Sequence, residues 1–423
     1  MKKHAEKKEI TTDVLVIGGG SAGCFAAISA ARLGASVLLV EKNGILGGTA
    51  TAGMVNFPGL FHAWGKQIID GPAWEAITRC VERGGAVLPP FPYKSEHHNM
   101  QQILVDIFTY TCVLDEMCIE SGVKLLFHSM ISQVRERKNG VSAVVTTKDG
   151  PLYVNAKKLI DTSGDADALR LAGCEYKISD RTQPATLIND LTGYEPEDID
   201  REAFHEYIEQ CYREGKLTPE DSQGFDMFMR VEKKRIHMHV NSIDAHTSEG
   251  KTALEIEARQ TLARILKSLS GFKGLENIRV ARCGHECGVR ETVRVVGEKE
   301  ITAEEYLAAE IREDSVCYAF YPIDLHRGTD IKQIFIEDGK IPSIYYGNLV
   351  PKNSKHMLMA GRCLSSDADA NSALRVQASC MAMGQVVGVA AAICVNNGYD
   401  VYKIPMTLLK DGLRKIGAIV PEI

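Results

Sequence analysis

The sequence predicts an α/β fold, in which a nucleotide-binding domain built from three separated stretches of chain carries an inserted β-meander and a mainly α+β substrate or cap domain. Three observations predict it. Residues 13–48 read as strand, glycine-rich turn, helix, strand and acidic residue. A buried-looking run at 158–161 and a strand, glycine turn and long helix from His356 to Asn396 supply two further pieces of the same kind of layer. Between them, from Ser179 to about Gly274, the composition turns polar and helical. The expected division is 1–60, 96–178 and 341–423 for the nucleotide-binding domain, with 61–95 and 179–340 as cap or substrate segments.

The first unit fixes the rest. Val14–Ile17 is an apolar run of the length of a buried strand. Gly18, Gly20 and Gly23 follow as GxGxxG: the first allows the tight turn, the second admits a pyrophosphate, the third lets the helix sit close on the sheet. Ser21 and Ala22 lie in that turn. The helix N-terminus offers unpaired N–H groups and partial positive charge. A second apolar run, Ala35–Val40, ends at Glu41, where a carboxylate can accept both hydroxyls of a ribose, with Lys42 beside it. A bare GxGxxG could be a glycine-rich turn in another α/β protein. Here strand, helix, second strand and acid are in register, which makes the unit Rossmann-like and dinucleotide-binding.

From Thr49 to Gly71 the chain is loop-like, with His62 among aromatics as a packed or surface histidine or, alternatively, a cofactor neighbour. Pro72–Gly84 reads as a helix with Pro at its start and Gly at its end. Pro89, Pro90 and Pro92 break regular structure, and Asn99–Gly122 shows helical spacing. Short strands are expected at 123–127, 131–134, 141–147 and 152–154, separated by the turns Lys138-Asn139-Gly140 and Lys148-Asp149-Gly150. A further strand, 158–161, runs into Thr162-Ser163-Gly164. In the cap, Thr252–Leu269 is an expected helix, and residues 275–340 return to strand-like runs. One long helix is expected to reach Asn396.

Composition sets bounds. The chain has 423 residues, 45% hydrophobic, ample for a large core and for two or three domains. A net charge of −6 without long basic blocks gives no support for a nucleic-acid partner. The charged start MKKHAEKKEITTD has no apolar h-region, so no signal peptide and a cytoplasmic location are expected. Met381–Val395, interrupted by Gly384, Gln385 and Gly388, is read as too short for a membrane span. Twelve cysteines without a CxxC are read as buried small hydrophobes in a reducing compartment, with no metal site. No internal repeat and no second GxGxxG after a strand is visible, so no built-in NAD(P)H domain is expected.

Several motifs carry a resemblance: GGGSAG at 18–23, EKNGILGGTATAG at 41–53, GKQIIDGPAWE at 65–75, LIDTSGDADALRLAG at 159–173, GVRETVRVVGE at 288–298, YPIDLHR at 321–327 and LMAGRCLSSDADANSALRVQASCMAMGQVVGVAAA at 358–392. With them the chain resembles, over nearly its whole length, the FAD-dependent oxidoreductase family of two-dinucleotide-binding-fold flavoproteins, related to fumarate reductase flavoproteins and to the tRNA-modifying flavoprotein GidA. The resemblance implies a glutathione-reductase-type domain and FAD as the cofactor. It implies that Gly18, Gly20, Ser21, Ala22 and Gly23 wrap the pyrophosphate and that Glu41 takes the adenosine ribose. Gly47, Gly48 and Thr49 would reach the pyrophosphate or flavin side. Gly164 would lie near the ADP half, and Ile131 would offer backbone groups to adenine. Gly361, Arg362 and Asp367 would line the ribityl and pyrophosphate region. A helix starting near Arg375, with Val376 and Gln377, would point its N-terminus at the flavin, where its N–H groups would stabilise charge on the reduced ring. Gly384 and Gly388 are expected to let that helix pack tightly on the sheet.

His285, Arg290, Glu291, Arg294, Asp324, His326, Arg327 and Arg375 are polar residues in apolar surroundings. His326, Arg327 and Arg290 are the catalytic candidates: an arginine can hold a carboxylate or carbonyl oxygen, and a histidine can pass a proton while a hydride moves. Arg290–Glu291 is alternatively a structural ion pair between domains. The expected activity is hydride transfer between the flavin and a small organic substrate, with an external electron donor or acceptor. An RNA-modifying flavoprotein of the GidA type and a non-catalytic flavin-binding regulator are the alternatives. The chain lacks the Cys-rich inserts of iron–sulfur members, and the His/Arg set of fumarate reductases cannot be matched residue by residue, so fumarate chemistry is not supported.

Overall fold

The computed structural model describes residues 8–90, 98–180, 182–222, 226–240, 244–327 and 330–423. It begins with β1 (Lys8–Ile17), α1 (Gly23–Arg32) and β2 (Val37–Val40). The strands are parallel, with Val14 opposite Val37 and Ile17 opposite Val40. Residues 23–30 of α1 are all buried, because the helix is covered on both sides.

Helices α2 (Pro72–Glu82) and α3 (Ile107–Glu120) follow. The latter starts later than its periodicity from Asn99 suggests. Asp106 caps it through Thr109 N at 2.8 Å. Upstream, Ile103 N and Val105 N donate to Pro58 O and Asn56 O, so residues 103–105 are extended along 56–58.

Next come β3 (Lys124–Leu126), β4 (Met130–Arg137), β5 (Gly140–Thr147) and β6 (Gly150–Asp161), then α4 (Asp167–Leu171). The two strands expected at 152–154 and 158–161 are one continuous strand, β6. On one side it stays parallel to β1 along nearly its full length. On the other it changes neighbour: Gly150–Ala156 pairs antiparallel with β5, and beyond the polar pair Lys157-Lys158 a different strand takes over. Lys158 Nζ is satisfied by Tyr399 O at 2.8 Å and Lys355 O at 3.2 Å, so the polar interruption does not end the strand.

The segment from Ser179 to about Gly274 is helical as expected, over Arg201–Arg213, Met227–Glu232 and Ser248–Leu269, and it also holds strands that its composition did not announce. Strand β7 (Ala185–Thr192) lies between β8 (Arg235–Val240) and β9 (Arg279–Cys283) in an antiparallel sheet. Between β8 and β9 runs α5 (Ser248–Leu269), which starts four residues before the expected Thr252 because Thr247 caps it through Gly250 N. Ile236, Met238 and Val240 join a core with Phe204, Leu262 and Ile265. Arg235, His237 and His239 alternate with them and take the opposite face.

A hairpin, β10 (Ile323–Arg327) and β11 (Asp330–Ile334), follows, and Ile323 and Leu325 share a core with α1. Beyond it β12 (Met357–Met359) pairs parallel with Leu159–Asp161, the neighbour that β6 acquires. The sheet order is β3-β2-β1-β6-β5-β4, with β12 on β6 as the seventh strand.

The expected single C-terminal helix is two: α6 (Ala368–Leu374) and α7 (Gln377–Asn397). Val376 between them is extended, at φ −67° and ψ 152°. At 21 residues, α7 exceeds the expected apolar stretch; it is long and apolar enough to cross a membrane, with mean hydropathy 1.9, and 89% of that window is buried inside the protein. Its glycines pack differently from the expectation. A Cβ on Gly384 or Gly388 would be driven into the carbonyl oxygens of Ala22 and Ala26, so the close approach is to α1 rather than to the sheet.

Nine of the cysteines are buried, Cys112 and Cys174 are half-buried and Cys283 is exposed, and all are free thiols.

Candidate active site

A cleft with a cavity volume of about 280 Å³ is lined by the β1–α1 turn and the start of α7, and also by residues of β7, β8 and the first turns of α5. At one end the glycine turn forms a cradle. Gly18 has φ +95°, and a Cβ there would meet Thr162 O at 2.6 Å. Gly47 N donates to Gly19 O at 2.8 Å, which folds 41–53 back over the turn and sets Gly48 against Gly20. Glu41 is buried behind them. It accepts from Gly19 N at 2.6 Å and Asn43 N at 2.7 Å. Burial raises its pKa, opposed by those two donors.

Gly18, Gly20, Ser21, Ala22, Glu41, Lys42, Gly48, Thr49, Gly164, Gly361, Arg362, Arg375, Val376, Gln377 and Arg290 all line this cleft. Residues distant in sequence therefore meet along one elongated groove. Gly23 does not line it: it packs against Gly18 O, where no side chain fits. Gly47 stands behind Gly48 with φ +95°. Ile131 sits opposite Val145 in β4, with its side chain in the core beneath the sheet. Asp367 caps α6 through Ala370 N at 2.7 Å and also accepts from Ala303 N at 2.8 Å.

The donor set fits a bound FAD. Neither α1 nor α7 has a side-chain cap, so backbone N–H groups are left for a ligand at both ends of the groove. Arg362 Nη1, Arg375 Nε and Gln377 Oε1 are buried without a hydrogen-bond partner among the described residues. Arg362 Nη2 and Lys251 Nζ both reach Asp165, at 3.0 and 2.7 Å. Burial pushes the Asp165 carboxyl up, but Arg362 and Lys251 override it and hold it well below the usual carboxylate range.

The other end of the cleft is built on imidazoles and guanidiniums. Arg290 Nη1 donates to Pro184 O and Thr186 Oγ1, each at 2.7 Å, and its Nη2 lies 3.0 Å from His239 Nε2. A guanidinium cannot accept, so His239 Nε2 must, which fixes the proton of the neutral ring on Nδ1. His326 Nε2 lies 3.0 Å from Asp324 Oδ2, and Gln333 Nε2 donates to Asp324 Oδ1 at 3.1 Å. The carboxylate accepts a hydrogen bond from Nε2–H, which leaves Nδ1 as the neutral ring's acceptor. The His239 and His326 rings meet edge to face at 5.2 Å. His237 stacks on Phe57 at 5.8 Å.

The titrations follow from burial among cations. His326 is lowered by burial, with Asp324 opposing. His239 is lowered far more, by burial first and Arg290 next. His237 falls to about 4, through burial and then Arg235. Burial would raise Asp324, but the His326 hydrogen bond and charge and Arg375 take it to about 2. Arg290 drops to about 9 through burial and Arg375. At neutral pH His237 and His239 line this part of the cleft as neutral rings beside Arg290, Arg375 and Asp324, and His326, bonded to Asp324, is not itself in the lining.

The remaining candidates lie elsewhere. Arg290 and Glu291 are not a pair, since Glu291 accepts from Gln183 N at 2.9 Å. Arg294 is buried against Ser366 O and Ser179 Oγ. His285 is exposed, with its N–H on Ala52 O. His62 is buried beside Trp74. Arg327 closes β10, and its side chain lies outside the described residues. Sequence reasoning missed His237, His239, Lys251 and Glu286. The strict alternation Arg-Ile-His-Met-His-Val at 235–240 was the available signal for the two histidines.

Two predictions arise here. Glu41→Ala is expected to weaken FAD binding by about 10- to 100-fold, the loss of a charged hydrogen-bonding partner worth about 1.5–3 kcal/mol. Titration of cofactor-free protein by flavin fluorescence checks it, and a dissociation constant within about twofold of wild type would contradict it. The second concerns acid. Between pH 6.5 and about 4 the unfolded chain protonates His237 while the folded protein does not. Stability therefore rises with pH across that window and is lost as pH falls through it, by about 2 kcal/mol at pH 5. His237→Phe, which keeps the stack on Phe57, should flatten the drop in urea midpoint of cofactor-free protein between pH 7 and pH 5. An unchanged drop would refute the assignment.

Residues 13–413 match the family model described as FAD dependent oxidoreductase. A 77-residue stretch is 45% identical to fumarate reductase (cytochrome) of Shewanella frigidimarina, over 18% of this chain and 13% of that protein. A 73-residue stretch is 40% identical to an FAD-dependent oxidoreductase of Cochliobolus heterostrophus, over 14% of this chain and 15% of that one. The matched stretches thus span well under a quarter of either relative. Among solved structures, a geranylgeranyl bacteriochlorophyll reductase-like protein of Thermoplasma acidophilum is similar, with TM-score 0.48 and 13% identity over 96% of this chain and 83% of that one. The p-nitrophenol 4-monooxygenase of Pseudomonas putida is similar with TM-score 0.44 and 12% identity, over 96% and 84%.

Proposed function

The chain belongs to the FAD dependent oxidoreductase family, and on that premise we propose that it transfers a hydride between FAD and a small organic molecule carrying an anionic or strongly polar oxygen group. The observation that carries this reading is a single cleft lined by a dinucleotide cradle and by Arg290, Arg375, His239 and Asp324, with His326 behind the lining on Asp324.

FAD, when bound, supplies the hydride acceptor or donor. The chain's residues do the rest. Arg290 and Arg375 outnumber Asp324 as charges, so the pocket favours a substrate that brings negative charge or develops it. Arg290, anchored by Pro184 O and Thr186, holds a substrate oxygen in a fixed orientation. His326 takes or gives the substrate proton at Nδ1, and Asp324 at its Nε2 stabilises the imidazolium. His239, oriented by Arg290, borders the same proton path. His237 and His239 of β8 and the loop from Glu286 to Arg290 line this end. Electrons reach or leave the flavin through an external partner.

Anaerobic mixing of the yellow protein with a panel of hydroxy, keto, unsaturated and amino acids tests it. Bleaching or reoxidation of the flavin by at least one member is the expected result. A flavin that responds to dithionite and to none of the panel would refute the reading.

A further inference from the structure

The roof of the cofactor cleft is charged at a point that a purely structural roof would not need. Lys251 stands in the first turns of α5, on the cap, and lines the same cleft as Gly18, Gly20, Gly164 and Arg362. Its ammonium lies 2.7 Å from Asp165, and 37% of its side-chain surface is open. Asp165 follows Gly164 directly in the turn after β6. It also receives Arg362 Nη2 at 3.0 Å and Thr292 Oγ1 at 2.8 Å. Two cations therefore share one carboxylate and leave an excess positive charge beside the glycine cradle. One guanidinium nitrogen there, Arg362 Nη1, is buried with no hydrogen-bond partner among the described residues. The start of α5 is held in place independently, by Arg170 Nη1 donating to His246 O at 3.0 Å. Cap docking at this point thus has a polar tie that does not need Lys251. A second cap residue, Glu286, pairs with Lys42 beside the ribose acid Glu41.

We propose that Lys251 is a cofactor-binding residue contributed by the cap, its ammonium completing with Arg362 the site for the FAD pyrophosphate. The cofactor is then gripped from both sides of the cleft. The dinucleotide domain supplies backbone N–H groups at Gly20–Ala22, and the cap supplies a charge that a diphosphate, with two negative charges, balances. Asp165 acts as the holder that keeps both cations aimed at the turn. Retention of FAD becomes linked to the docked position of the cap, since the cap cannot lift away without withdrawing Lys251.

Titration of cofactor-free protein with FAD, followed by fluorescence, and with ADP, followed by calorimetry, tests the assignment. Lys251→Met is expected to weaken both ligands at least tenfold, because both carry the diphosphate. Lys251→Arg is expected to stay within about threefold of wild type, as a cation of similar reach. The proposal is overturned if Lys251→Met binds both ligands as wild type does. It is equally overturned if the variant lowers only the unfolding midpoint of the cofactor-free protein, which would make Lys251 a docking residue alone. A wild-type protein that binds FAD tightly yet oxidises and reduces none of the tested acids would sink the hydride-transfer reading and leave this one standing.

Discussion

A Gly384→Val protein is expected to be recovered largely unfolded and colourless. The Cβ would be driven into the Ala22 carbonyl, with the Ala22 Cα at 3.1 Å behind it, and both belong to main chain that cannot rotate away. Overpacking in a core typically costs about 1–3 kcal/mol when side chains can yield. Here the yielding element would be α1 itself, whose first residues form the cofactor turn. The loss should exceed that range and take FAD binding with it. Gly34→Ala is the control. Its φ is +88° but nothing lies within 4 Å of the added atom, so only the backbone penalty of about 1–2 kcal/mol applies. Urea unfolding and flavin content of the two proteins decide it. A Gly384→Val protein with a midpoint near that of Gly34→Ala would show that α1 and α7 can separate freely.

Arg290→Leu is expected to keep its flavin and to lose about 10²–10³-fold in turnover of a substrate that bleaches the wild-type flavin, the effect of removing one donor from a preorganised oxyanion site. The same change removes a charge that helps to lower His326, whose proton the limb reports, and that after burial holds His239 down. It also frees His239 Nε2 from the 3.0 Å contact that forces it to accept. The acid limb of the pH–rate profile should therefore move toward higher pH in the variant. In the wild type that limb should lie below the ordinary imidazole value of 6.5, since His326 is itself lowered. A variant within about threefold of wild-type turnover, or with an unmoved limb, would remove Arg290 from the proposed chemistry.

Local patterns were legible, and partnerships across the chain were not. The unit from Val14 to Glu41 could be read because each of its glycines answers a local steric demand. The start of α7 at Val376–Gln377 lay within two residues of its expected place. The break between α6 and α7 had no Pro or Gly to announce it; it follows from where Val376 must turn over the cleft. In β6 the pair Lys157-Lys158 imitated the end of a strand, and the strand persisted because its neighbours change there rather than its own conformation. His237 and His239 were hidden in a six-residue alternation within a charged region that reads as helical overall. Lys251 and Glu286 carried no local signal, because their meaning comes from Asp165 and Lys42, distant in sequence.

The packing of α1 against α7 sets a timetable for the ribosome. The glycine-bearing helix that packs against α1 follows it only after β12, which completes the central sheet, and after everything between them. At about 5–20 residues per second the emerging strand–helix–strand unit waits on the order of tens of seconds with an Ala- and Phe-bearing face uncovered. Nascent chains halted before Gln377 should need holdase protection, and a stop codon there should send the product to inclusion bodies rather than yield a smaller soluble nucleotide-binding fragment.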